Sequence, residues 1–437
     1  MSGLHLQGLT SFIDQVAQET LAERKIAGVS VSVADRGELV HATGYGYASV
    51  EHRIAAAAAT IYSIGSMTKQ FTSVAILQLV ERGSLRLEDP VTAQLPLRRR
   101  LASKASIRQV LAHTSGICSE VERLMLADSR DFNALTRERA LSLVTDKLFD
   151  AKPGEVWRYS NFGYYLLGIA IEEITGMTYS EYLLTNVLPA AGLSNTSYGM
   201  ESVNPHSLAH GYTEQDGSFA SVDVPRTEQT FSSGALFSNV VDLQLWSAAL
   251  HDRRLLTDRS YIAMTTPTRL LNGRPTTYGL GCFLGACGAC REIGHDGTSG
   301  GYSAQAAYYP EGSLSVVVLM NCERHEAERL EKTISRRILR VPKLTDQERH
   351  ISIHDLGRYV GMYTHKGVDI AVRADGTGLV ISVPNRPILR LRYQGETVFA
   401  QRDDPSTRYE FIVHSERADS FVVSREGKTI ANARRLS

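Results

Sequence analysis

The chain has 437 residues, of which 43% are hydrophobic and 22% are charged. These values are ordinary for a globular protein, and the length allows one large domain and a small one. Since 47 basic residues balance 47 acidic ones, the net charge of zero argues against a general electrostatic attraction to nucleic acid or to an acidic membrane.

The N-terminal segment has none of the features of a secretory signal. Asp14, Gln15 and Glu19 interrupt it, and it lacks a basic start followed by an apolar run. The chain also has no stretch of about 18 apolar residues, which a membrane-spanning helix would need. We therefore expect a cytoplasmic protein without a membrane partner.

The predicted elements before residue 340 are strands at both ends with helices between them. Alternating apolar and polar residues indicate strands, and apolar residues at helical spacing indicate helices. In chain order they are strands at 29–33 and 38–42, helices at 66–83, 164–175 and 242–250, strands at 302–309 and 314–320, and a helix at 326–339. The pattern predicts an α+β domain over 1–340 with an all-helical insert in its middle.

The composition changes after Arg340. The segment 341–346 has the character of a linker, and short alternating runs separated by turn residues follow it. Regular short strands at this spacing predict a small antiparallel barrel or sandwich of about 90 residues over 345–437.

Five cysteines, an odd number in a long chain, argue against a disulfide scaffold. Three of them, Cys282, Cys287 and Cys290, lie close together in a segment rich in glycine and alanine. This segment is either a metal or iron–sulfur site, which would need a fourth soft ligand, or a turn between two strands. The small residues favour the turn, so we expect free thiols and neither a metal nor another cofactor.

A Ser-x-x-Lys motif begins at Ser66 and ends at Lys69, at the start of an apolar helix. A serine at a helix start lies in the partial positive charge of the helix N-terminus, and a lysine three residues later lies on the same helix face. A lysine in a partly dry site shifts toward its neutral form and can accept a proton. The alternative interpretation is an N-cap serine beside an ordinary surface lysine.

A Tyr-x-Asn motif is formed by Tyr159 and Asn161, after a turn at Pro153–Gly154 and before a predicted helix. A tyrosine near positive groups loses its proton more readily and can act as a general base or acid. The asparagine can point the same way and hold a substrate carbonyl or amide. The alternative is a helix-capping asparagine beside a core tyrosine.

A third motif comprises His295, Gly297 and Thr298 in a predicted strand. Gly297 would let a ligand approach the strand backbone closely, and the N–H of Thr298 could then donate to an oxyanion. The alternative is a turn histidine at a strand end, and the His-x-Gly pattern occurs again at His365 in the C-terminal region.

In this order, the three motifs make the chain resemble the serine β-lactamase and penicillin-binding-protein superfamily. The closest resemblance is to its class-C-like branch of D-aminopeptidases, esterases and related hydrolases, and it covers about residues 10–340. Three further sequence segments also resemble the family pattern: 111–116, 159–164 and 233–238. The resemblance implies a β-lactamase/transpeptidase-like domain, in which an antiparallel sheet is flanked by helices and accompanied by a helical subdomain.

The resemblance also implies roles in catalysis. Ser66 would be the nucleophile that forms an acyl-enzyme, Lys69 and Tyr159 would share the acid and base work, and Asn161 would orient the substrate. The N–H groups of Ser66 and Thr298 would form the oxyanion hole. The phrase from His113 to Gly116 is interpreted as scaffold.

The remaining substrate-binding residues implied by the resemblance are Gly297 and His295, and His295 departs from the family pattern. Typical β-lactamases and carboxypeptidases have lysine at this position, and a neutral imidazole attracts a substrate carboxylate less than a fixed ammonium does. The histidine and the appended C-terminal module resemble instead the D-aminopeptidase pattern, in which small β-barrels follow the catalytic domain. The segment Gly357–Tyr363 resembles the opening of a lipocalin-like barrel.

From this resemblance we expect a serine hydrolase that acts through an acyl-enzyme on a small-molecule or short-peptide substrate. The specific expectation is a D-stereospecific aminopeptidase or amidase. Two alternatives stay open: an esterase or acyltransferase of the same fold, and a non-catalytic penicillin-binding-like protein. The sequence leaves a homo-oligomer open and does not indicate a nucleic-acid partner.

Overall fold

The structure is a computed structural model that describes residues 3–96, 105–118, 136–215, 217–322, 326–341, 351–375, 378–384, 386, 388–402, 404–413, 416–425 and 427–436. The chain folds into two compact units, Met1–Leu284 with Ala289–Arg340, and Gly285–Gly288 with Val341–Ser437. From residue 342 onward, the predicted linker lies outside the described residues.

The strands and helices are numbered here in chain order. The strands are β1 Gly28–Asp35, β2 Glu38–Ser49, β3 Ile54–Ala55, β4 Tyr62–Ser63, β5 Ser197–Tyr198, β6 Tyr212–Gln215, β7 Ser218–Ser221, β8 Leu236–Ser238, β9 Phe283–Cys287, β10 Cys290–Ser299, β11 Tyr302–Tyr309, β12 Leu314–Met320, β13 Gly361–His365, β14 Val368–Asp375, β15 Gly378–Ser382, β16 Leu389–Gly395, β17 Val398–Gln401, β18 Thr407–Val413, β19 Ala418–Arg425 and β20 Lys428–Arg435.

The α-helices follow the same convention. They are α1 Gly3–Arg24, α2 Thr68–Glu81, α3 Ile107–Leu111, α4 Arg137–Leu143, α5 Asn161–Thr175, α6 Tyr179–Tyr182, α7 Leu188–Ala191, α8 Thr227–Gly234, α9 Val240–His251, α10 Asp258–Met264, α11 Glu326–Ile338 and α12 Ile353–Leu356. None of the helices in the described ranges has the length and hydropathy that crossing a membrane requires.

A seven-stranded sheet forms the centre of the first unit, with the strand order β3-β2-β1-β12-β11-β10-β9. Strand β12 pairs antiparallel with β1 on one side and with β11 on the other. Every residue of β12 is buried, and both α9 and α11 pack against it. A near-continuous apolar run is what a strand covered by helices requires, which explains the sequence LSVVVLM.

Helix α2 is the central helix of this unit, and its residues from Thr68 to Leu79 are all buried. The indole of Trp246, on α9, stacks on the ring of Phe71 with 3.7 Å between ring centroids. Its Nε1–H donates to Gln70 Oε1 at 3.1 Å. Burying one such apolar side chain contributes about 1.5–3 kcal/mol, so this packing fixes α2 within the core.

The region between β3 and β9 is largely helical, but it also contains a three-stranded sheet of order β4-β8-β5 and a β6–β7 hairpin. Strand β4 pairs with β8 and leads into a short 3₁₀ turn, Gly65–Met67, which α2 follows. This arrangement places the start of α2 beside the strand that precedes it.

The second unit contains a closed antiparallel barrel of strands β13 to β20. The predicted α+β class with a small C-terminal barrel is therefore confirmed, and the sandwich alternative is wrong. The buried aromatic rings of the barrel pack against one another, with centroids 5.0–6.0 Å apart: Tyr359, Tyr363, Phe399, Phe411 and Phe421. Side chains rather than a ligand thus occupy this part of the barrel interior.

Candidate active site

The Ser66 side chain lies in the 3₁₀ turn before α2 and is partly exposed. Lys69 is in the first turn of α2 and is completely buried. Its Nζ lies 3.1 Å from Ser66 Oγ, within hydrogen-bond distance. The helical spacing of three residues therefore places an amine beside a hydroxyl that solvent can reach.

Two carbonyl oxygens also accept hydrogen bonds from Lys69. Its Nζ donates to Asn161 Oδ1 at 2.8 Å and to the backbone oxygen of Ser233 at 2.9 Å. Neither oxygen can donate a proton, so Lys69 must supply an N–H group to each of them. A neutral amine has two N–H groups and one lone pair, so its lone pair would remain available to a third neighbour. Ser66 Oγ is a neighbour that can exchange a proton with this amine in either direction.

Asn161 is held in place by the start of α5. The hydroxyl of Ser160 caps this helix by accepting a hydrogen bond from the Gly163 N–H at 2.8 Å. The helix ends at Gly176, whose φ of 68° is a left-handed conformation that glycine adopts at little cost. Asn161 is thus the first residue of a capped, buried helix, and its side chain reaches Lys69.

Tyr159 is partly buried, and the Nζ of Lys69 lies over its ring, 4.7 Å from the centroid. A cation in this position is attracted to the ring face. The structure therefore brings Ser66, Lys69, Tyr159 and Asn161 together in one place.

His295 is fully buried on β10 and both ring nitrogens have partners. Nδ1 lies 2.5 Å from the backbone oxygen of Asp296, so Nδ1 carries the proton. Nε2 lies 2.8 Å from the Tyr278 hydroxyl and accepts from it in the neutral ring. The imidazole also lies 6.3 Å from the Tyr159 ring, so the structure places it against that tyrosine rather than on an open surface.

Gly297 and Gly65 allow two backbone segments to approach each other closely. A Cβ at Gly297 would lie 2.0 Å from the oxygen of Ile64 and 3.2 Å from the nitrogen of Ser66. A Cβ at Gly65 would lie 3.0 Å from the nitrogen of Thr298. The absence of side chains therefore lets the turn that carries Ser66 pack directly on β10, where Thr298 is exposed. This close packing between the two backbones requires glycine at position 297.

His113 contributes more to this region than the scaffold interpretation indicated. Its Nδ1 accepts a hydrogen bond from the Ser160 N–H at 3.0 Å, and its ring lies 4.2 Å from that of Tyr159, centroid to centroid. Burial, followed by electrostatic interactions with Lys69 and His295, holds the pKa of His113 well below its usual value. The imidazole is therefore a neutral acceptor beneath the Tyr159–Asn161 segment.

Sequence reasoning did not identify two other contacts of the site. The Ser233 carbonyl accepts from Lys69, and the Tyr278 hydroxyl contacts His295. The segment 233–238 was one of those that carry the family resemblance, whereas nothing in the sequence marked Tyr278 as a residue of the site. Burial raises the pKa of Tyr278 well above its usual value, so this hydroxyl keeps its proton.

The cysteine-rich segment is the predicted turn between two strands, since β9 ends at Cys287 and β10 begins at Cys290. The five cysteines, which all lie in the described ranges, form no disulfide bond. Among the described residues, the converging group of three potential metal ligands does not include them and consists of Glu51, His52 and His210.

Three comparisons with known proteins agree with this geometry. The family model described as Beta-lactamase matches residues 13–339. Penicillin-binding protein 4* of Bacillus subtilis is 27% identical over 436 residues, which cover 94% of this chain and 96% of that protein.

Two solved structures are also similar. The octameric penicillin-binding protein homologue from Pyrococcus abyssi has a TM-score of 0.70 and 26% identity, covering 97% of this chain and 99% of that one. A D-stereospecific amidohydrolase from Streptomyces has a TM-score of 0.59 and 25% identity, covering 71% of this chain and 94% of that one.

Proposed function

Because the chain belongs to the beta-lactamase family, we propose that it is a serine hydrolase in which Ser66 forms an acyl-enzyme with a small amide substrate. The observation that supports this most directly is the 3.1 Å contact between the buried Lys69 amine and the Ser66 hydroxyl. A nucleophilic serine needs a base within hydrogen-bond distance, and this contact supplies one.

In acylation, Ser66 Oγ bonds to the substrate carbonyl carbon while its proton passes to the neutral Lys69 amine. The N–H groups of Ser66 and Thr298 stabilise the oxyanion that develops on the carbonyl oxygen. The carbon–nitrogen bond then breaks, and the leaving amine receives a proton from Lys69 with the help of the Tyr159 hydroxyl. Asn161 orients the substrate.

In deacylation, a water molecule attacks the ester of Ser66. Its proton passes to the same basic groups, and Ser66 recovers a proton as the carboxylic acid leaves. The Lys69 ammonium that forms transiently within each half-reaction, before its proton is passed on, is stabilised by the oxygens of Asn161 and Ser233. The positive charge of the buried amine is therefore met by two oxygen acceptors.

The substrate class that we propose is the amide of a small D-amino acid or the N-terminal residue of a short D-configured peptide. His295 has its ring nitrogens paired with Tyr278 and Asp296, so it offers no fixed positive charge for a substrate carboxylate. The similarity to a D-stereospecific amidohydrolase also supports an amide substrate.

The nucleophile is tested by labelling the full chain with a fluorophosphonate and measuring the intact mass. We expect one adduct per chain, no adduct on Ser66→Ala, and strongly reduced labelling of Lys69→Met. Lys152→Met is the control, because Lys152 is exposed. Failure of the unmodified chain to react would favour the non-catalytic alternative.

The substrate class is tested with matched D- and L-aminoacyl p-nitroanilides and with short p-nitrophenyl esters. We expect faster turnover of the D-anilides. Equal or faster turnover of the L-anilides would contradict the stereochemical proposal. If the protein turned over the esters but none of the amides, the proposed activity would be that of an esterase and not of an amidase.

A further inference from the structure

A second group of chemically reactive side chains lies outside the residues of the proposed hydrolase. Glu51 and His52 belong to the turn between β2 and β3, and His210 belongs to the segment before β6. Their ligand atoms all lie within 4.8 Å of one another. The fold therefore brings together two imidazoles and a carboxylate from distant parts of the chain.

The ligand atoms of the three residues lie around the Ser49 hydroxyl. Ser49 Oγ lies 3.0 Å from His52 Nδ1, 3.5 Å from His210 Nδ1 and 3.3 Å from Glu51 Oε2. The distance from His210 Nδ1 to Glu51 Oε2 is 3.7 Å. In a tetrahedral zinc site with metal–ligand distances of about 2.0–2.1 Å, ligand atoms are about 3.3 Å apart. Small side-chain rotations would thus complete the coordination geometry.

Glu51 is oriented by a partner behind it. The buried Tyr212 hydroxyl donates to the Glu51 carboxylate, and the Tyr212 oxygen accepts from the Val50 N–H at 2.9 Å. This pair of hydrogen bonds fixes the position of the Tyr212 hydroxyl and orients the Glu51 carboxylate. Ligands held by such neighbouring hydrogen bonds bind metal more tightly than unsupported ones.

The backbone on both sides of the group is already fixed. The His210 N–H donates to the Ala48 oxygen at 2.8 Å, and the Tyr212 N–H donates to the Gly301 oxygen at 3.2 Å. The side chains of Glu51 and His210 remain 48% and 39% exposed, so an ion can enter from solvent. The site combines a fixed framework with open access.

We propose that Glu51, His52 and His210 bind one divalent transition-metal ion of the Zn²⁺ class. Water or the Ser49 hydroxyl would complete the coordination. Two imidazoles and one carboxylate suit this class of ion, whereas Ca²⁺ and Mg²⁺ prefer oxygen ligands. The ion fastens the β2–β3 turn to the segment that contains His210.

This segment is connected to the strand that leads toward Ser66. The Ala209 N–H donates to the Ile61 oxygen at 2.9 Å, and Ile61 precedes β4. Metal binding should therefore increase the stability of the first unit rather than supply a reacting group to the substrate.

The test uses tag-free full-length protein that has been stripped with a chelator and titrated with ZnCl₂ by calorimetry. We expect one equivalent per chain with micromolar or tighter affinity, and an increase in Tm of about 2 °C or more with excess Zn²⁺. Tyr212→Phe should weaken binding by about 10-fold or more. The double variant His52→Gln with His210→Gln should lose both the binding and the Tm increase.

His206→Gln is the matched control, since His206 is an exposed histidine near His210 that does not belong to the group. Titration with Co²⁺ separates this site from cysteine binding, because thiolate ligands would add charge-transfer absorption. The proposal is overturned if the protein binds no Zn²⁺, if the double variant binds as well as the unmodified chain, or if Co²⁺ shows thiolate ligation.

Discussion

The imidazole of His113 lies against the phenol ring of Tyr159, with 4.2 Å between the ring centroids. Its Nδ1 also accepts the Ser160 N–H, the backbone donor between Tyr159 and Asn161. His113 has a positive φ of 59°, a conformation that is uncommon outside glycine, although asparagine, aspartate and histidine adopt it more often than other residues do. A costly backbone conformation beside the proposed site suggests that His113 positions the Tyr-x-Asn segment.

The first prediction compares His113→Asn with His113→Ala. Asparagine tolerates the positive φ, and its Oδ1 takes the place of Nδ1 as an acceptor, whereas alanine leaves the buried Ser160 N–H unpaired at a cost of about 1–3 kcal/mol. We expect kcat to fall by about 10-fold or more in His113→Ala and substantially less in His113→Asn, with little change in KM. Equal kcat values for the two variants would show that the hydrogen bond does not position the segment.

The second prediction concerns pH and the same histidine. The pKa of His113 is depressed in the folded chain, so below about 6.5 the unfolded chain takes up a proton that the folded chain does not. The contribution of His113 to the free energy of unfolding is therefore fully present when the pH is above the pKa of this histidine in the unfolded chain. It decreases as the pH falls below that pKa, by up to about 1.4 kcal/mol per pH unit.

The measurement is urea unfolding at several pH values between 7 and 4, followed by tryptophan fluorescence. Both tryptophans, Trp157 and Trp246, belong to the first unit, so the signal reports on that unit. His113→Asn should reduce the slope of the unfolding free energy against pH by up to about 1.4 kcal/mol per pH unit, which corresponds to one proton. An unchanged slope would mean that His113 is not the group responsible.

The third prediction tests the close packing of β10 on the turn that carries Ser66. In Gly297→Ala, the new methyl group would lie 2.0 Å from the Ile64 oxygen, so β10 and the turn must separate. We expect kcat/KM to fall by about 100-fold, which is the effect of losing one oxyanion donor. Gly8→Ala is the control, because a Cβ there has no neighbour within 4 Å. Full activity of Gly297→Ala would argue against the proposed oxyanion hole.

The sequence predicted the parts of the molecule that depend on local patterns. Apolar spacing indicated the helix beginning near Ser66, and the motif spacing indicated that Lys69 would lie beside that serine. The structure has Lys69 Nζ within hydrogen-bond distance of Ser66 and Asn161. Helical geometry determines the first of these contacts, which is why it can be read from four residues.

Contacts that depend on tertiary packing could not be predicted in this way. The Ser233 carbonyl belongs to the backbone, which has the same chemistry at every position, and Tyr278 reaches His295 only because β10 is placed beside it. Strand β20 shows only weak alternation of apolar and polar residues, so its sequence is a poor indicator of a strand. Its buried inward position is the small residue Ala433, while Ile430 is 46% exposed. The group proposed to bind metal could not be predicted either, since His52 and His210 are far apart in sequence.

The last prediction concerns a buried charged network between the sheet and α11. Lys332 lies between two carboxylates, since its Nζ donates to Glu292 and is 3.7 Å from Glu331 Oε2. Tyr309 donates to Glu331 Oε1 at 2.8 Å, and Ser335 donates to it at 2.5 Å. Burial raises the pKa of Glu331, so we expect the network to tolerate a neutral side chain at position 331 better than the loss of the Lys332 ammonium.

We therefore expect Lys332→Met to destabilise the first unit by about 3–5 kcal/mol, because the buried carboxylate of Glu292 would lose the ammonium that donates to it. Glu331→Gln should cost about 1 kcal/mol or less, since the amide oxygen can still accept from Tyr309 and Ser335. Urea unfolding followed by tryptophan fluorescence measures both, with Lys147→Met as an exposed control. If Glu331→Gln proved as damaging as Lys332→Met, both carboxylates would have to be ionised in the folded chain, and the network would be held together by charge rather than by hydrogen bonds.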